Sequence, residues 1–328
     1  MPELYAFPLA FAVSIVIGPF IIKILARVKM GQKISEDGPQ SHQAKAGTPT
    51  MGGLIILLGV LVGLVPYLST TRKDNPDLTV VLALMFAYCF LGFVDDYLTV
   101  RPIKGVRGIS SKPKAALQIL FAAGFVYWMS VTGHDMTLSA FGYTILSGIW
   151  YQVFAVIFIA GMANFVNITD GLDGLVSGLA VAACFPMVAF LAGWDGFTAI
   201  LLGLMGACIG FLWYNANPAK VFMGDTGSLA IGSVLPAIAI ITHFEMVLII
   251  AGLVFILDGL SSALQWAVFK FTRITTGTGK RVFLKSPVHH HFEMAGWPEQ
   301  KIVIRFWIVG IMCASMAILY TISYRPMQ

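Results

Sequence analysis

The chain has 328 residues, of which 58% are hydrophobic and only 11% are charged, whereas a soluble domain carries about 25% charged residues. Together with a mean hydropathy of +0.83, this composition excludes an ordinary soluble enzyme and indicates a membrane protein. The net charge of +5 would suit nucleic acid, but the placement of the basic residues is typical of membrane topology. We therefore expect a lipid bilayer, and no nucleic acid, as the partner of this chain.

Ten apolar segments are long enough to cross a bilayer, which takes roughly 20 residues of α-helix. They predict an all-α membrane protein with about ten transmembrane helices, folded as one polytopic domain over residues 1–328. One further segment, 133–143, alternates in polarity and predicts a small hairpin. In chain order, the ten apolar segments are 4–24, 50–68, 78–96, 115–132, 144–163, 174–192, 197–214, 228–243, 246–269 and 303–324.

The basic residues predict how the chain is oriented. All but three of the 21 lysines and arginines lie in or beside odd-numbered loops, and the exceptions are Arg72, Lys73 and Arg325. Because cytoplasmic loops carry the excess of Lys and Arg, we expect the odd-numbered loops in the cytoplasm and both termini outside. These loops are also long and rich in Gly, Asp, Asn and His, so we expect the active site on the cytoplasmic loops.

Aspartates mark two of these loops. Asp95 and Asp96 end the third helix, where adjacent carboxylates are costly near lipid unless a cation or basic ligand joins them. Neighbours on a helix point about 100° apart, so the two should meet different partners. The segment before the sixth helix carries Asn167, Asp170 and Asp173 at intervals of three, on one face if it is helical. A solvated helix end and an N-cap are the respective alternatives.

Two more loops carry polar motifs. Gly-Asp-Thr-Gly-Ser at 224–228 enters the eighth helix, where backbone N–H groups can bind phosphate or the aspartate can hold a metal; a capped turn is the alternative. The ninth loop carries His289, His290 and His291. If extended, it could offer at most two of them to zinc, and hydrogen bonding to phosphate is the favoured interpretation. Asp258, inside the ninth segment, is a functional candidate or a buried hydrogen-bond partner.

Carboxylates from three loops thus converge on one side, accompanied by lysines and histidines. Oxygen ligands suit Mg²⁺, which usually takes one or two carboxylates plus substrate phosphates. Phosphoryl transfer needs such a metal and nearby cations, and a membrane-embedded site implies one lipid and one soluble phosphorylated substrate. A cation transporter is the alternative from another class, although transport carboxylates usually lie at the bilayer midplane.

Several motifs resemble those of the polyprenyl-phosphate N-acetylhexosamine-1-phosphate transferase superfamily: Asp-Asp-Tyr at 95–97, Asn-Ile-Thr-Asp-Gly-Leu-Asp-Gly at 167–174 and Phe-Met-Gly-Asp-Thr-Gly-Ser at 222–228. Lys-Ala-Gly-Thr-Pro-Thr-Met-Gly-Gly at 45–53 and Pro-Val-His-His-His-Phe-Glu at 287–293 resemble its phospho-N-acetylmuramoyl-pentapeptide transferase (MraY) branch. The resemblance covers nearly the whole chain. A sister branch that transfers N-acetylglucosamine-1-phosphate is the nearest alternative, but its histidine pattern differs.

The resemblance implies a Mg²⁺-dependent enzyme of the bacterial inner membrane. The reaction would transfer phospho-N-acetylmuramoyl-pentapeptide from its UDP derivative to undecaprenyl phosphate, giving lipid I and UMP. This is the first membrane step of peptidoglycan synthesis, and hence part of cell-wall biogenesis, cell shape and cell division. A homodimer is also implied.

The resemblance further implies roles for individual residues. Asp225 corresponds to the metal ligand, and the catalytic set is Asp95, Asp96, Asp225, His289 and His290. One member of the aspartate pair would be the base for the lipid phosphate or a second metal contact, and Phe222 would stack on uracil. Thr99 departs from the family pattern, which has lysine there. The substrate-binding positions are Lys45, Thr50, Lys114, Asn167, Asp170, Leu172, Asp173, Asn215, Phe222, Gln265 and His291.

Overall fold

The computed structural model describes residues 1–28, 30–31, 47–71, 75–102, 105, 107–191 and 195–324. A short 3-10 helix at Pro2–Tyr5 precedes the α-helices and one pair of strands. In chain order, the elements are α1 Ala6–Arg27, α2 Gly53–Thr70, α3 Pro76–Val100, α4 Ser111–Val131, β1 Thr137–Ala140, β2 Tyr143–Ser147, α5 Gly148–Thr169, α6 Leu175–Phe190, α7 Asp195–Asn215, α8 Gly224–Ile241, α9 Glu245–Ala251, α10 Leu253–Thr276, α11 Val288–Met294 and α12 Glu299–Tyr324.

The helices confirm the all-α, multi-span fold. Among the described residues, nine helices are long and apolar enough to cross a membrane, and α6 is a shorter apolar helix of 16 residues. Nine of the ten predicted segments each overlap one α-helix, and the ninth overlaps two. Large apolar side chains such as Phe90, Ile157 and Leu319 are exposed on their outer surfaces, as expected where a helix faces lipid tails instead of water.

The ninth predicted segment is broken, which corrects the expectation of one continuous helix. Gly252 ends α9 and precedes α10. Glycine is a poor helix former, and a Cβ at this position would lie 2.8 Å from the Leu248 carbonyl oxygen. The backbone at the break therefore favours glycine.

The predicted hairpin exists but is longer than expected, and the fifth helix starts correspondingly later. Residues Tyr143–Ser147 form a strand that pairs antiparallel with Thr137–Ala140, although 144–147 was assigned to the helix. Phe141 and Gly142 both have positive φ, 53° and 82°, which matches the twist of a two-residue hairpin turn. Aromatic and β-branched residues such as Thr144 then favour the strand over the first helical turn.

Helix α8 lies at the centre of the bundle. All its residues from Thr226 to Ile241 are buried, and it packs most extensively against α3, then against α5 and α2. A Cβ at Gly92 of α3 would overlap the Asp225 carbonyl, and one at Gly53 of α2 would overlap the backbone of Gly227. Because these two glycines have no side chain, α2, α3 and α8 approach one another closely at the start of α8.

Candidate active site

Asp96, near the end of α3, holds the N-terminus of α8. Its Oδ1 accepts hydrogen bonds from the Asp225 backbone N–H at 3.2 Å and the Thr50 hydroxyl at 3.4 Å. Its Oδ2 accepts from the Thr226 N–H at 3.0 Å and hydroxyl at 2.7 Å. Because the first N–H groups of a helix lack partners within it, a carboxylate satisfies them and meets the positive helix end. These two N–H groups are thus not available to phosphate.

Asp95 has different partners, as the helical geometry predicts. Its Oδ1 accepts a hydrogen bond from the Ile109 backbone N–H at 2.7 Å. Its Oδ2 lies 3.5 Å from the Lys114 ammonium, and the same ammonium is ion-paired with Asp225. Lys114, from the first turn of α4, therefore joins the carboxylates of two helices.

Asp225 is held on its other side by α5. The amide of Asn167 donates to Asp225 Oδ1 at 2.7 Å and lies 2.9 Å from the Ser228 hydroxyl. The Asp225 side chain is 21% exposed, so one edge stays open beside the lysine. Four helices, α3, α4, α5 and α8, thus bring their charged or amide side chains to a single point.

This cluster fits Mg²⁺ by the chemistry of its donors. The described residues contain no group of three or more His, Cys, Asp or Glu side chains at metal-binding spacing. Mg²⁺ does not need such a cage, because one or two carboxylates plus substrate phosphates usually hold it. Asp225 and Asp95, which already share one cation in Lys114, supply that donor set.

The polar residues before α6 do not share a helical face, contrary to the sequence expectation. Helix α5 ends at Thr169, and Asp170 is its C-cap. Asp173 lies in the following turn, and the N-cap of α6 is Gly174, whose φ is 81°. Glycine adopts that left-handed conformation without strain. The chain therefore turns between Asn167 and Asp173 and sends them to different partners.

Asp170 lies in the same electrostatic field as the central carboxylates. Burial raises the pKa of the Asp170 carboxyl well above its usual range, and the negative charges of Asp225, Asp96 and Asp173 raise it further. A hydrogen bond from the Gly224 backbone acts in the opposite direction. The site is therefore crowded with negative charge, which a bound cation would relieve.

Asp173 belongs to a network on the next loop. Its Oδ2 accepts from the Asn217 amide at 3.1 Å and the Ala219 N–H at 3.0 Å. Glu299 accepts from the Asp173 N–H at 2.7 Å and from the Asn217 amide at 2.9 Å. Sequence reasoning missed Glu299 and Asn217, because an acid in the first turn of α12 looks like ordinary helix capping.

Asn215 and Leu172 are buried and hold the neighbouring loops in place. Asn215 is buried, accepts a hydrogen bond from the Gly174 N–H at 2.9 Å and donates to the Val221 carbonyl at 2.9 Å. The Leu172 side chain is 4% exposed. Both residues thus fix the loops that carry Asp170 and Asp173.

The first and seventh loops are joined backbone to backbone. The Phe222 N–H donates to the Pro49 carbonyl at 2.8 Å, and the Phe222 carbonyl accepts from the Gly52 N–H at 2.8 Å. This pairing places Thr50 beside Asp96 and leaves Phe222 half-buried. Lys45, another predicted substrate-binding residue, lies outside the described residues.

The three histidines lie on a short helix, α11, and not in an extended loop as expected. His289 is buried, and its Nδ1 lies 2.7 Å from Asp258 Oδ2. His290 Nδ1 lies 2.5 Å from Glu293 Oε2, one turn along the same helix. Burial lowers the pKa of the His290 imidazole, although the Glu293 carboxylate opposes this. Glu293 was missed, and its spacing of three from His290 on a helix was the available signal.

Gln265 and His291 contact a different segment. Gln265 Oε1 accepts from the Val282 and Phe283 N–H groups at 3.0 and 2.9 Å. His291 Nδ1 accepts from the Leu284 N–H at 3.2 Å. The described contacts of these two side chains therefore hold the connection between α10 and α11.

The loops of one end of the bundle are thus brought together as the sequence predicts. Thr50, Asp95, Asp96, Lys114, Asn167 and Asp225 are linked directly by the contacts given above. The histidines adjoin this group through Gly171, because a Cβ there would meet the Nε2 atoms of both His289 and His290.

Comparison with known proteins identifies the family. A model described as glycosyl transferase family 4 matches residues 78–243, and phospho-N-acetylmuramoyl-pentapeptide-transferase signature 1 matches residues 45–57. Phospho-N-acetylmuramoyl-pentapeptide-transferases of Shouchella clausii and Bacillus subtilis are 41% and 40% identical, each over 96% of both chains. The chain belongs to this family. The corresponding transferase of Desulfotalea psychrophila is 44% identical over 94% of this chain and 89% of its own.

Membership confirms the resemblance drawn from the motifs. The chain is a multi-pass transferase of the bacterial inner membrane, in the family that serves peptidoglycan synthesis. Family membership favours the transferase over the alternative cation transporter, because transferases match almost the entire chain. The signature at residues 45–57 also separates this chain from the sister branch.

Proposed function

We propose that this chain transfers phospho-N-acetylmuramoyl-pentapeptide from its UDP derivative to undecaprenyl phosphate, giving lipid I and UMP. The observation that carries the proposal is the convergence of Asp95, Asp96, Lys114, Asn167 and Asp225 at one end of a membrane bundle of this family. Charged groups at a membrane surface can meet a lipid phosphate and a soluble nucleotide together. Such a cluster suits phosphoryl transfer, which depends on positioning and charge stabilisation.

The two acidic neighbours are assigned different roles. Asp96 uses both oxygens to hold α8, so we assign it the positioning of Asp225. Asp95 faces Lys114 across 3.5 Å, and we assign it the base that takes any remaining proton from the lipid phosphate. Lys114 would offset the charge that develops on the transferred phosphate.

Asp225 would hold Mg²⁺. When bound, this ion would supply positive charge that offsets the repulsion between phosphate oxygens. Asn167 orients the Asp225 carboxylate through its 2.7 Å hydrogen bond. Phe222 and Asp173, on adjoining loops, are assigned to the uracil side of the nucleotide. Lys45 and Thr50 are assigned to substrate binding.

We favour a single in-line displacement. A lipid phosphate oxygen forms the new bond to the β-phosphorus, and the bond from that phosphorus to the UMP oxygen breaks. UMP keeps the electron pair of this bond. A two-step route would instead need an aspartate as the nucleophile of a covalent intermediate. The lipid phosphate is already anionic and needs little activation, which supports the one-step route.

The test is UMP release by the purified full-length chain in detergent, with undecaprenyl phosphate and Mg²⁺. We expect lipid-dependent release from UDP-N-acetylmuramoyl-pentapeptide and none from UDP-N-acetylglucosamine. Release from the second sugar alone would move the chain to the sister activity. A folded sample that releases UMP from neither would contradict the proposal, and omission of Mg²⁺ tests the metal requirement separately.

A further inference from the structure

Asp258 and His289 form a buried pair between α10 and α11. Both side chains have no exposed area. Asp258 Oδ1 accepts from the His289 backbone N–H at 3.2 Å, and its Oδ2 lies 2.7 Å from His289 Nδ1. Both oxygens of one carboxylate are therefore directed to a single residue, which fixes both the position and the rotation of the imidazole.

This arrangement determines where the imidazole carries its proton. An ionised carboxylate only accepts hydrogen bonds, so His289 Nδ1 bears the hydrogen. The other nitrogen, Nε2, is buried and has no hydrogen-bond partner among the described residues. Buried polar atoms without partners are exceptions in native proteins, and a role in catalysis is one recognised cause.

The unpartnered Nε2 faces the loop of the candidate active site. A Cβ at Gly171 would overlap it and would also lie 3.2 Å from His290 Nε2. Gly171 is the chain neighbour of Asp170, whose carboxyl lies in the field of Asp225 and Asp96. The absence of a side chain at Gly171 thus opens the histidine to the region where the substrate phosphates are proposed to bind.

We propose that Asp258 is a positioning residue for phosphoryl transfer, which prepares His289 to receive a proton on Nε2 when the substrate diphosphate binds. The proton comes from solvent, and the resulting Nε2–H donates to a diphosphate oxygen. The Asp258 carboxylate stabilises the imidazolium, as carboxylate partners of catalytic histidines do. The proton returns to solvent when the products leave. This inference rests on the proposed function, because it assumes a diphosphate ligand.

Other titratable groups surround the pair and must be distinguished from it. His290 stacks edge-on against His289 with ring centroids 4.3 Å apart, and Glu293 holds the far side of His290. The positive charge of Lys285, in the preceding segment, lowers the pKa of His290. Asp170 is the chain neighbour of Gly171, which lies beside His289. A proton taken up by any of these groups would not depend on Asp258.

Proton uptake on binding is the first measurement. UDP-N-acetylmuramoyl-pentapeptide, without lipid acceptor, is titrated calorimetrically into the full-length protein in two buffers of different ionisation enthalpy. Its diphosphate has no ionisation near neutral pH, so an uptake belongs to the protein. We expect the wild-type chain to take up a proton and the Asp258→Asn variant to take up none. Uptake that persists in Asp258→Asn would assign the proton elsewhere and overturn the inference.

Turnover provides the second measurement. We expect Asp258→Asn to lower kcat by about 10²- to 10⁴-fold, since the analogous change in a serine-protease triad costs about 10⁴. KM for the UDP substrate should rise as well, because the hydrogen bond to the diphosphate is lost. Asp258→Asn/His289→Gln should be no slower than His289→Gln alone, as residues that act together are not additive. Additive losses would contradict the inference.

Two further variants separate positioning from structure. Ser261 donates to the Asp258 carbonyl and accepts from the Val288 N–H at 2.9 Å, so Ser261→Ala disturbs the same contact without touching the imidazole. It should lower the unfolding temperature but leave kcat within about threefold. If Asp258→Asn fails to fold, proton uptake is measured on Asp258→Glu instead. This variant keeps the negative charge and should keep the uptake, and loss of the uptake would contradict the inference. A wild-type chain that binds the nucleotide but releases no UMP would instead contradict the proposed function.

Discussion

At the scale of residues, Asp95 and Asp96 show how two adjacent positions on a helix acquire different partners. Asp96 is 7% exposed and satisfies three donors at the start of α8 besides the Thr50 hydroxyl. Asp95 accepts one backbone hydrogen bond and otherwise faces the Lys114 ammonium. The pair was recognisable in the sequence, and so was the divergence of its partners. Which aspartate caps α8 depends on where that helix lies, and local sequence does not contain this information.

Asp225→Asn should nearly abolish turnover while the protein stays folded. The amide removes the charge that pairs with Lys114 and would hold Mg²⁺, and losing one preorganised electrostatic contact typically costs about 10²- to 10³-fold in kcat. The measurement is UMP release as a function of Mg²⁺ concentration, with thermal unfolding recorded alongside. Asp195→Asn, at an exposed position in the first turn of α7, is the matched control. Wild-type turnover in Asp225→Asn would remove this residue from the metal site.

Phe222→Ala should raise the KM for the UDP substrate by about tenfold and leave the KM for the lipid unchanged. Stacking of a base on an aromatic ring is worth roughly 1–3 kcal/mol, and the Phe222 ring is held in place by two backbone hydrogen bonds to the first loop. Phe222→Tyr keeps the ring and should behave like wild type. An unchanged KM for the nucleotide in Phe222→Ala would place uracil elsewhere.

At the scale of elements, the contact of α2, α3 and α8 determines where Asp225 lies. Gly53 and Gly92 were parts of apolar runs in the sequence, with nothing to distinguish them from other glycines of a membrane helix. Only the structure shows that each lies against the backbone of another helix. Helix α11 was likewise missed. Its seven residues follow a proline and include three histidines, so they show no apolar periodicity.

Gly92→Ala should both destabilise the protein and lower its activity. The new methyl group would overlap the Asp225 carbonyl, and overpacking of this kind costs about 1–3 kcal/mol. Because the backbone of α8 would have to move, kcat should fall together with the unfolding temperature. Gly124→Ala on α4 is the control, since a Cβ there meets nothing within 4 Å. Equal behaviour of the two variants in unfolding and UMP-release assays would show that the close contact is not required.

At the scale of the whole molecule, apolar runs and charge bias were sufficient to predict the bundle. All ten segments are helical, and the loops that the basic residues assigned to one side do converge through Thr50, Lys114, Asn167 and Asp225. The break at Gly252 was not predicted, because the residues on both sides are equally apolar and only the close approach of the Leu248 carbonyl distinguishes the position. Networks such as Asp173–Asn217–Glu299 join loops far apart in the chain, which local patterns do not reveal.

The orientation in the membrane stays a prediction and can be tested by labelling. Ser139 in the hairpin and Thr275 near the end of α10 are both exposed, and the four native cysteines are buried. A membrane-impermeant maleimide should label Ser139→Cys in intact spheroplasts and Thr275→Cys only after the membrane is opened. The reverse pattern would invert the topology and place the proposed site outside.

Helix α8 combines a central position with a polar beginning, and this affects how the protein is made. Its mean hydropathy is 1.5, against 2.4 for the first span, and its first turns contain Asp225, Thr226 and Ser228. Lipid is a poor environment for such a segment. However, α3 and α5 precede it in the chain, so during synthesis Asp96 and Asn167 are already in the membrane when α8 emerges. Biogenesis can therefore deliver α8 directly to its protein contacts. The cluster around Asp225 can form as this helix inserts, before the histidines of α11 are made.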